Sequence, residues 1–262
     1  MGSWIFNSYK IIIEEERMVM KTLLFAEYKK LYRSKLMFLL VFALIMTLGI
    51  VFLQGQFSFD GKKYIDTFGW YFLQVQSLTT YFVLPSLIAL FGGYIICREE
   101  QEDVLKSLKL IPIDEKNMIT AKMIITLLGS IFIYLILFMV SLIIETVLHL
   151  HAVNMSEVVH YFVVYVLTGI GVFMVISPII ALIGLVKRSY WIALIIAEIY
   201  SFVGIFFASK EILRAIYPIS SVFILSGAYE TSAIEIMISI IVNTFCCLIA
   251  YKILNKISIS KK

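Results

Sequence analysis

Glu198 is the acid set deep in an apolar run, seven residues past Trp191, or roughly 10 Å along a helix at 1.5 Å per residue. A carboxylate so placed serves gating or contact with a passing solute, or is held by a hydrogen-bonded packing partner. Gln74, Ser77 and Tyr81 stand between Trp70 and Pro85 at steps of three and four. One continuous helix would give them a shared face, fit to line a pathway or a subunit contact, or to act as a plain structural stripe. Glu145 with His149, and Glu157 with His160, have the helical spacing of metal pairs, and His151 lies close by. Two-residue spacings are weak signals, and loop residues near the headgroups explain them better, so no metal is expected.

Catalytic patterns fail on inspection. A serine intramembrane protease wants G-x-S-G, but Ile224 precedes Ser226-Gly227 at the glycine position. A glutamate type wants E-E-x-x-x-R, and Val104 follows Glu99-Glu100 at the arginine position. A phosphate-binding G-x-x-x-x-G-K-[ST] loop is missing too: Gly61 precedes Lys62 without the second glycine or the hydroxyl residue. The chain is not expected to hydrolyse ATP or to be an enzyme, and no cofactor is expected in it.

The elements that must position these residues follow from composition. Of 262 residues, 61% are apolar and 15% charged. Ordinary soluble domains run nearer 45–50% apolar and about 25% charged, so the solvent for this chain is lipid. The net charge of +4 is too small and dispersed to point to nucleic acid. Cys97, Cys246 and Cys247 all lie in or at the end of apolar runs and read as small packing residues.

A hydrocarbon core about 30 Å thick takes about 20 apolar helical residues, because every backbone group must be satisfied within the segment. Six stretches qualify: Leu36–Leu53, Trp70–Cys97, Ile119–Ile144, Val158–Val186, Trp191–Ser209 and Ala233–Tyr251. Pro85 and Pro178 fall inside the second and fourth, where kinks are expected. With six spans both termini share a side. That side carries eighteen of the 22 cations: seven before the first span, four between the second and third with Lys122 in the first turn of the third, two between the fourth and fifth, and four at the end. Lys62, Lys63, Lys210 and Arg214 make up the other side. Since Lys and Arg are retained inside during insertion, both termini are expected in the cytoplasm.

Residues 20–35 place Leu24, Tyr28, Leu31 and Tyr32 on one helical face, with cations largely elsewhere. This predicts an amphipathic elbow helix lying in the interface before the chain turns into the first span. Residues 1–19 form an uncertain N-terminal extension. Glu14 to Arg17 can be encoded by an unbroken purine run, as in a translated ribosome-binding site, so Met18 and Met20 stand beside Met1 as candidate starts. Residues 36–262 form the membrane domain.

Between the second and third spans runs Arg98 to Met118, a dense mixture of acids and bases that is too apolar for a solvated turn. Val104, Leu105, Leu108 and Ile111 fall at i, i+1, i+4 and i+7, giving a short amphipathic helix that Pro112 stops and Asp114 recaps. Its leucine ridge must bury itself, and the surrounding charge mixture favours a protein groove over an anionic bilayer.

The order of these pieces resembles the permease subunits of ABC-2 type exporters. The resemblance rests on the E-x-K-K-L-x-R-S-K elbow of Glu27–Lys35 and on the R-E-x-x-x-x-x-L-K-x-L-x-x-x-P-I segment within Arg98–Lys122. The six-span plan extends it over nearly the whole chain, and it is closest to small permeases of Gram-positive bacteria that export antimicrobial peptides or protect against lantibiotics and bacitracin. The resemblance implies an all-α, polytopic protein of the bacterial cytoplasmic membrane. It also implies a coupling helix docked into a separate ATPase subunit, itself a dimer that binds ATP and Mg. Glu99, Val104, Leu105, Leu108, Leu110, Ile111 and Pro112 would make that contact. A second permease, a copy or a related chain, is implied, as are membrane lipid and a peptide or antibiotic substrate. So is a re-entrant helix between spans five and six, for which Tyr217–Leu225 is apolar enough. An ion-coupled secondary transporter is the alternative; it would normally show more intramembrane charge or matching broken halves, and no internal repeat supports it.

Overall fold

The computed structural model describes residues 20–30, 36–59, 61–101, 115–150, 154–186, 189–229 and 231–260. Six helices are long and apolar enough to cross a membrane: Leu36–Gly55, Trp70–Arg98, Lys116–Leu148, Met155–Val186, Trp191–Ala208 and Ala233–Lys256. The protein is an all-α, multi-pass membrane protein. The third and sixth spans outrun their expected ends by several residues. A helix of 33 residues is roughly 50 Å long, so its ladder continues into the interface beyond the hydrocarbon.

At the end of the bundle away from the chain termini, the first two spans are joined by a minimal antiparallel hairpin pairing Ser58–Phe59 with Lys62–Lys63. It is too small to alter the fold class. A 3-10 turn, Tyr64–Asp66, follows, and Tyr64 stacks on Trp70 at 5.8 Å.

The second and fourth spans form the centre. Val75, Leu84 and Ile88 of the second and Val172, Ile176 and Ile180 of the fourth are fully or almost fully buried in one apolar core. The other four spans each keep an apolar face exposed, among them Phe38 and Phe42, Phe132, Ile199 and Phe206, and Ile241 and Phe245. Such faces are stable only against hydrocarbon or a further subunit.

Both prolines are accommodated by identifiable devices. A π-helical turn, Thr79–Val83, interrupts the second span just before Pro85, whose ring has no N–H to return to the Tyr81 carbonyl. In the fourth span the helix runs unbroken through Pro178. There the Ser177 hydroxyl donates to the Met174 carbonyl at 2.8 Å, replacing the donor that proline lacks.

Residues 20–30 are helical and pack on the bundle. Leu24 sits against Phe91, Ile95 and Ile125, and Arg98 Nη1 donates to the Lys30 carbonyl at 3.1 Å. Glu27 is buried and pairs with Lys30 at 2.8 Å. Sequence periodicity puts Leu24 and Tyr28 on one side toward the bilayer. In the structure Leu24 and Glu27 face protein, while Phe25 and Tyr28 are exposed, because the ends of the second and third spans offer a ready apolar seat. Leu31 and Tyr32 lie outside the described residues.

Candidate functional site

Buried polar groups of the third and fourth spans converge on the second span. Gln76 Nε2 donates to Thr168 Oγ1 of the fourth span at 2.7 Å. The Thr80 and Tyr134 hydroxyls share a hydrogen bond at 2.9 Å, and Tyr165 Oη donates to the Phe72 carbonyl at 2.8 Å. Phe72, Gln76 and Thr80 recur every four residues, a stripe two positions out of phase with the one read from Gln74. Periodicity contains both stripes, and only the packing of spans three and four selects the buried one. Thr168→Val is expected to lower stability by about 0.6–2 kcal/mol, since the Gln76 amide then has no side-chain acceptor. Thermal melting in detergent checks this; an unchanged midpoint would show that the bond contributes nothing.

Between the fifth and sixth spans, Glu211–Ile216 leads into a second short helix, Pro218–Ser226. Proline at its first turn presets φ, and Gly227 ends it with φ +80°. Ile219 to Ile224 are all buried. Val222 lies against Gly171, near the midpoint of the 32-residue fourth span, where a Cβ would stand 2.8 Å from Val222 Cγ1. The chain therefore dips into the bundle and returns, as a re-entrant segment does. Ser220 Oγ donates to the Gly204 carbonyl at 2.8 Å, and Asn243 Nδ2 of the sixth span donates to Ser221 Oγ at 2.8 Å. Asn243 Oδ1 and Ser239 Oγ are buried without a hydrogen-bond partner among the described residues.

Around this helix the aromatic rings are continuous. Tyr81 stacks on Phe223 at 4.7 Å, Phe223 meets Tyr229 at 5.7 Å, and the Arg214 guanidinium lies 4.9 Å over the Tyr229 ring. Arg214 is also 3.6 Å from Glu235. Tyr217 stacks on Phe207 at 4.7 Å, and its burial raises the phenol pKa above the ordinary tyrosine value. The result is a half-apolar, half-polar wall reaching the middle of the bundle.

The profile of the ABC-2 family transporter proteins matches residues 23–204. The chain belongs to the ABC-2 transporter family. Among curated proteins nothing matches it. ABC-2 permeases are membrane transport components, not enzymes on their own, and they normally work with an ATPase subunit. The match spans the elbow, the first four spans, the segment after Arg98 and most of the fifth span; the re-entrant helix and sixth span lie beyond it.

Within this ABC-2 permease the residues expected on one face of the second span have different neighbours. Gln74 Nε2 donates to Gln54 Oε1 of the first span at 3.2 Å, and Ser77 is half-buried. Tyr81, inside the π turn, instead faces the re-entrant helix. The π turn changes the helical phase that steps of three and four assume. Glu198 is half-buried in the fifth span. Of the coupling positions, Glu99 has its backbone on the helix that closes the second span; Val104, Leu105, Leu108, Leu110, Ile111 and Pro112 lie outside the described residues.

Glu145 has a role that its spacing from His149 did not reveal. Its carboxylate, buried, accepts from the Gly69 backbone N–H at the start of the second span, where Gly69 has φ +85°. His149 Nδ1 is 3.7 Å from Glu145 Oε1. Among the described residues no third ligand-type side chain joins them as a metal site.

Proposed function

We propose that this ABC-2 permease is the membrane subunit of an ATP-driven exporter that moves an amphipathic peptide or antibiotic out of the cytoplasmic membrane. A separate ATPase subunit, binding ATP and Mg, docks on the segment after Arg98 through Glu99, Val104, Leu105, Leu108, Leu110, Ile111 and Pro112. Both termini lie in the cytoplasm, and a second permease, identical or related, completes the route.

One observation carries this reading: the family match over residues 23–204 includes that segment, which in sequence joins the second span to the third. The second is the most buried of the six, so a push on its end acts directly on the core of the permease. The elbow helix, held to Arg98 and Ile95, would move with it. The π turn at Thr79–Val83 gives the span a natural bending point, and Tyr81 within it contacts the re-entrant helix. A wall of aromatic rings beside Arg214, Glu235 and Asn243 suits a solute with apolar and polar sides.

Leu108→Asp is the direct test. It should abolish co-purification with the ATPase subunit while membrane insertion is unchanged. Undiminished pull-down would remove the coupling assignment.

A further inference from the structure

We propose that Glu198 and the aromatic rings beside it form a recognition site, at the depth of the hydrocarbon, for the organic cation of an amphipathic solute. Glu198 is the eighth of the 18 residues of the fifth span, roughly 10 Å inside its first residue. It is half-buried and lies between Ile195 and Ile199, which are 57% and 61% exposed. A carboxylate on such a face is costly unless positive charge meets it. Among the described residues no Lys, Arg or His pairs with it. In sequence the nearest cations, Arg188 and Lys210, are ten and twelve residues away, outside the two ends of the span.

The rings give the missing charge its chemistry. Phe202 and Phe206 follow Glu198 at steps of four on one helical face, and their rings meet edge to face at 5.7 Å. Phe82 of the second span meets Phe202 at 5.9 Å, also edge to face. All three rings are exposed. The second and fifth spans are three crossings apart and so run in opposite directions, which puts Ser86, one turn past Phe82, level with Glu198, one turn before Phe202. Ser86 donates its hydroxyl proton to the Val83 carbonyl at 2.8 Å instead. The seam thus ends in a carboxyl group without a donor and continues as a strip of rings, roughly 12 Å long from Glu198 to Phe206.

Ring faces attract cations, and a carboxylate adds to the attraction. A divalent metal ion would want about six oxygen ligands, where this seam offers one carboxyl and one hydroxyl. An anion is repelled, and a neutral apolar solute leaves Glu198 unmatched. An ammonium, guanidinium or phosphonium group on an apolar body satisfies both the carboxyl and the strip. The inference rests on the export reading for the amphipathic solute and adds the sign of its charge.

Equilibrium binding of tetraphenylphosphonium to the full-length permease in phosphatidylcholine nanodiscs, measured against empty discs, tests the site. One saturable site per chain is expected. Glu198→Gln, which keeps the shape and removes the charge, should weaken it about tenfold. Phe202→Leu, which keeps apolar bulk without a ring, should weaken it about two- to fivefold. Tetraphenylborate, of the same shape and opposite charge, should not compete. On the wild-type chain dicyclohexylcarbodiimide should label Glu198, and tetraphenylphosphonium should slow that labelling. Full affinity in Glu198→Gln, competition by tetraphenylborate, displacement by magnesium alone or unprotected labelling would each overturn the proposal. So would the loss of both binding and labelling, which would mean that a second permease covers the carboxyl group. The measurement needs neither ATP nor the ATPase, so its failure leaves the Leu108→Asp pull-down standing, and failure of the pull-down leaves this binding standing.

Discussion

Gly171→Leu should unseat the re-entrant helix and abolish transport. The fourth span and the helix Pro218–Ser226 approach so closely that even the first side-chain carbon would lie 2.8 Å from Val222 Cγ1. Overpacking of this kind costs about 1–3 kcal/mol, and the core around Tyr81, Phe223 and Ile176 offers no space to absorb it. The expected readouts are a lower melting temperature in detergent and faster protease cleavage near Tyr229. Val222→Ala in the same chain removes the opposing methyl groups and should restore most of the loss. A double variant as unstable as Gly171→Leu alone would show that the damage lies elsewhere.

The second large effect is expected at the opposite side of the same core, where the second and third spans meet. Glu145→Ala leaves the Gly69 N–H buried without an acceptor and opens a hole beside Tyr161, whose hydroxyl oxygen would stand 2.5 Å from a Cβ at Gly69. The loss should reach about 2–4 kcal/mol from the unpaired donor and the cavity together. Glu145→Gln keeps a carbonyl acceptor at nearly the same place and gives up only the charge at a helix N-terminus, so it should stay within about 1 kcal/mol of the wild type. Comparing the two melting temperatures separates a hydrogen-bonding role from an ionic one. If Gln is as damaging as Ala, charge rather than the bond holds the two spans together.

The two cases also show which parts of this protein a linear reading reaches. The six spans were legible because about 20 consecutive apolar residues have few alternatives in water; the second begins at Trp70 as read, while the third and sixth run past their expected ends. A local irregularity near Pro85 was legible because a missing N–H has local consequences, and it takes the form of the π turn Thr79–Val83. The assignment of faces was not. Gln74 and Gln76 are two residues apart in one helix, yet the first meets Gln54 and the second is sealed against Thr168. In an almost uniformly apolar helix the ordinary amphipathic signal is absent, since neither lipid nor core demands polarity on one side. Glu145 was equally opaque: its partner is a backbone amide 76 residues away in sequence, and no side-chain spacing encodes that.

What the amino-acid order determined alone is the number of crossings and the one-sided distribution of cations. Each follows from a local balance between lipid and water along a single segment. Only the tertiary structure decided that the second and fourth spans are central, that Pro218–Ser226 turns back inside the bundle against Gly171, and that Leu24 faces protein. Those choices depend on how closely two backbones can approach and on which buried donor finds which acceptor, and both are properties of pairs of segments that no single stretch contains.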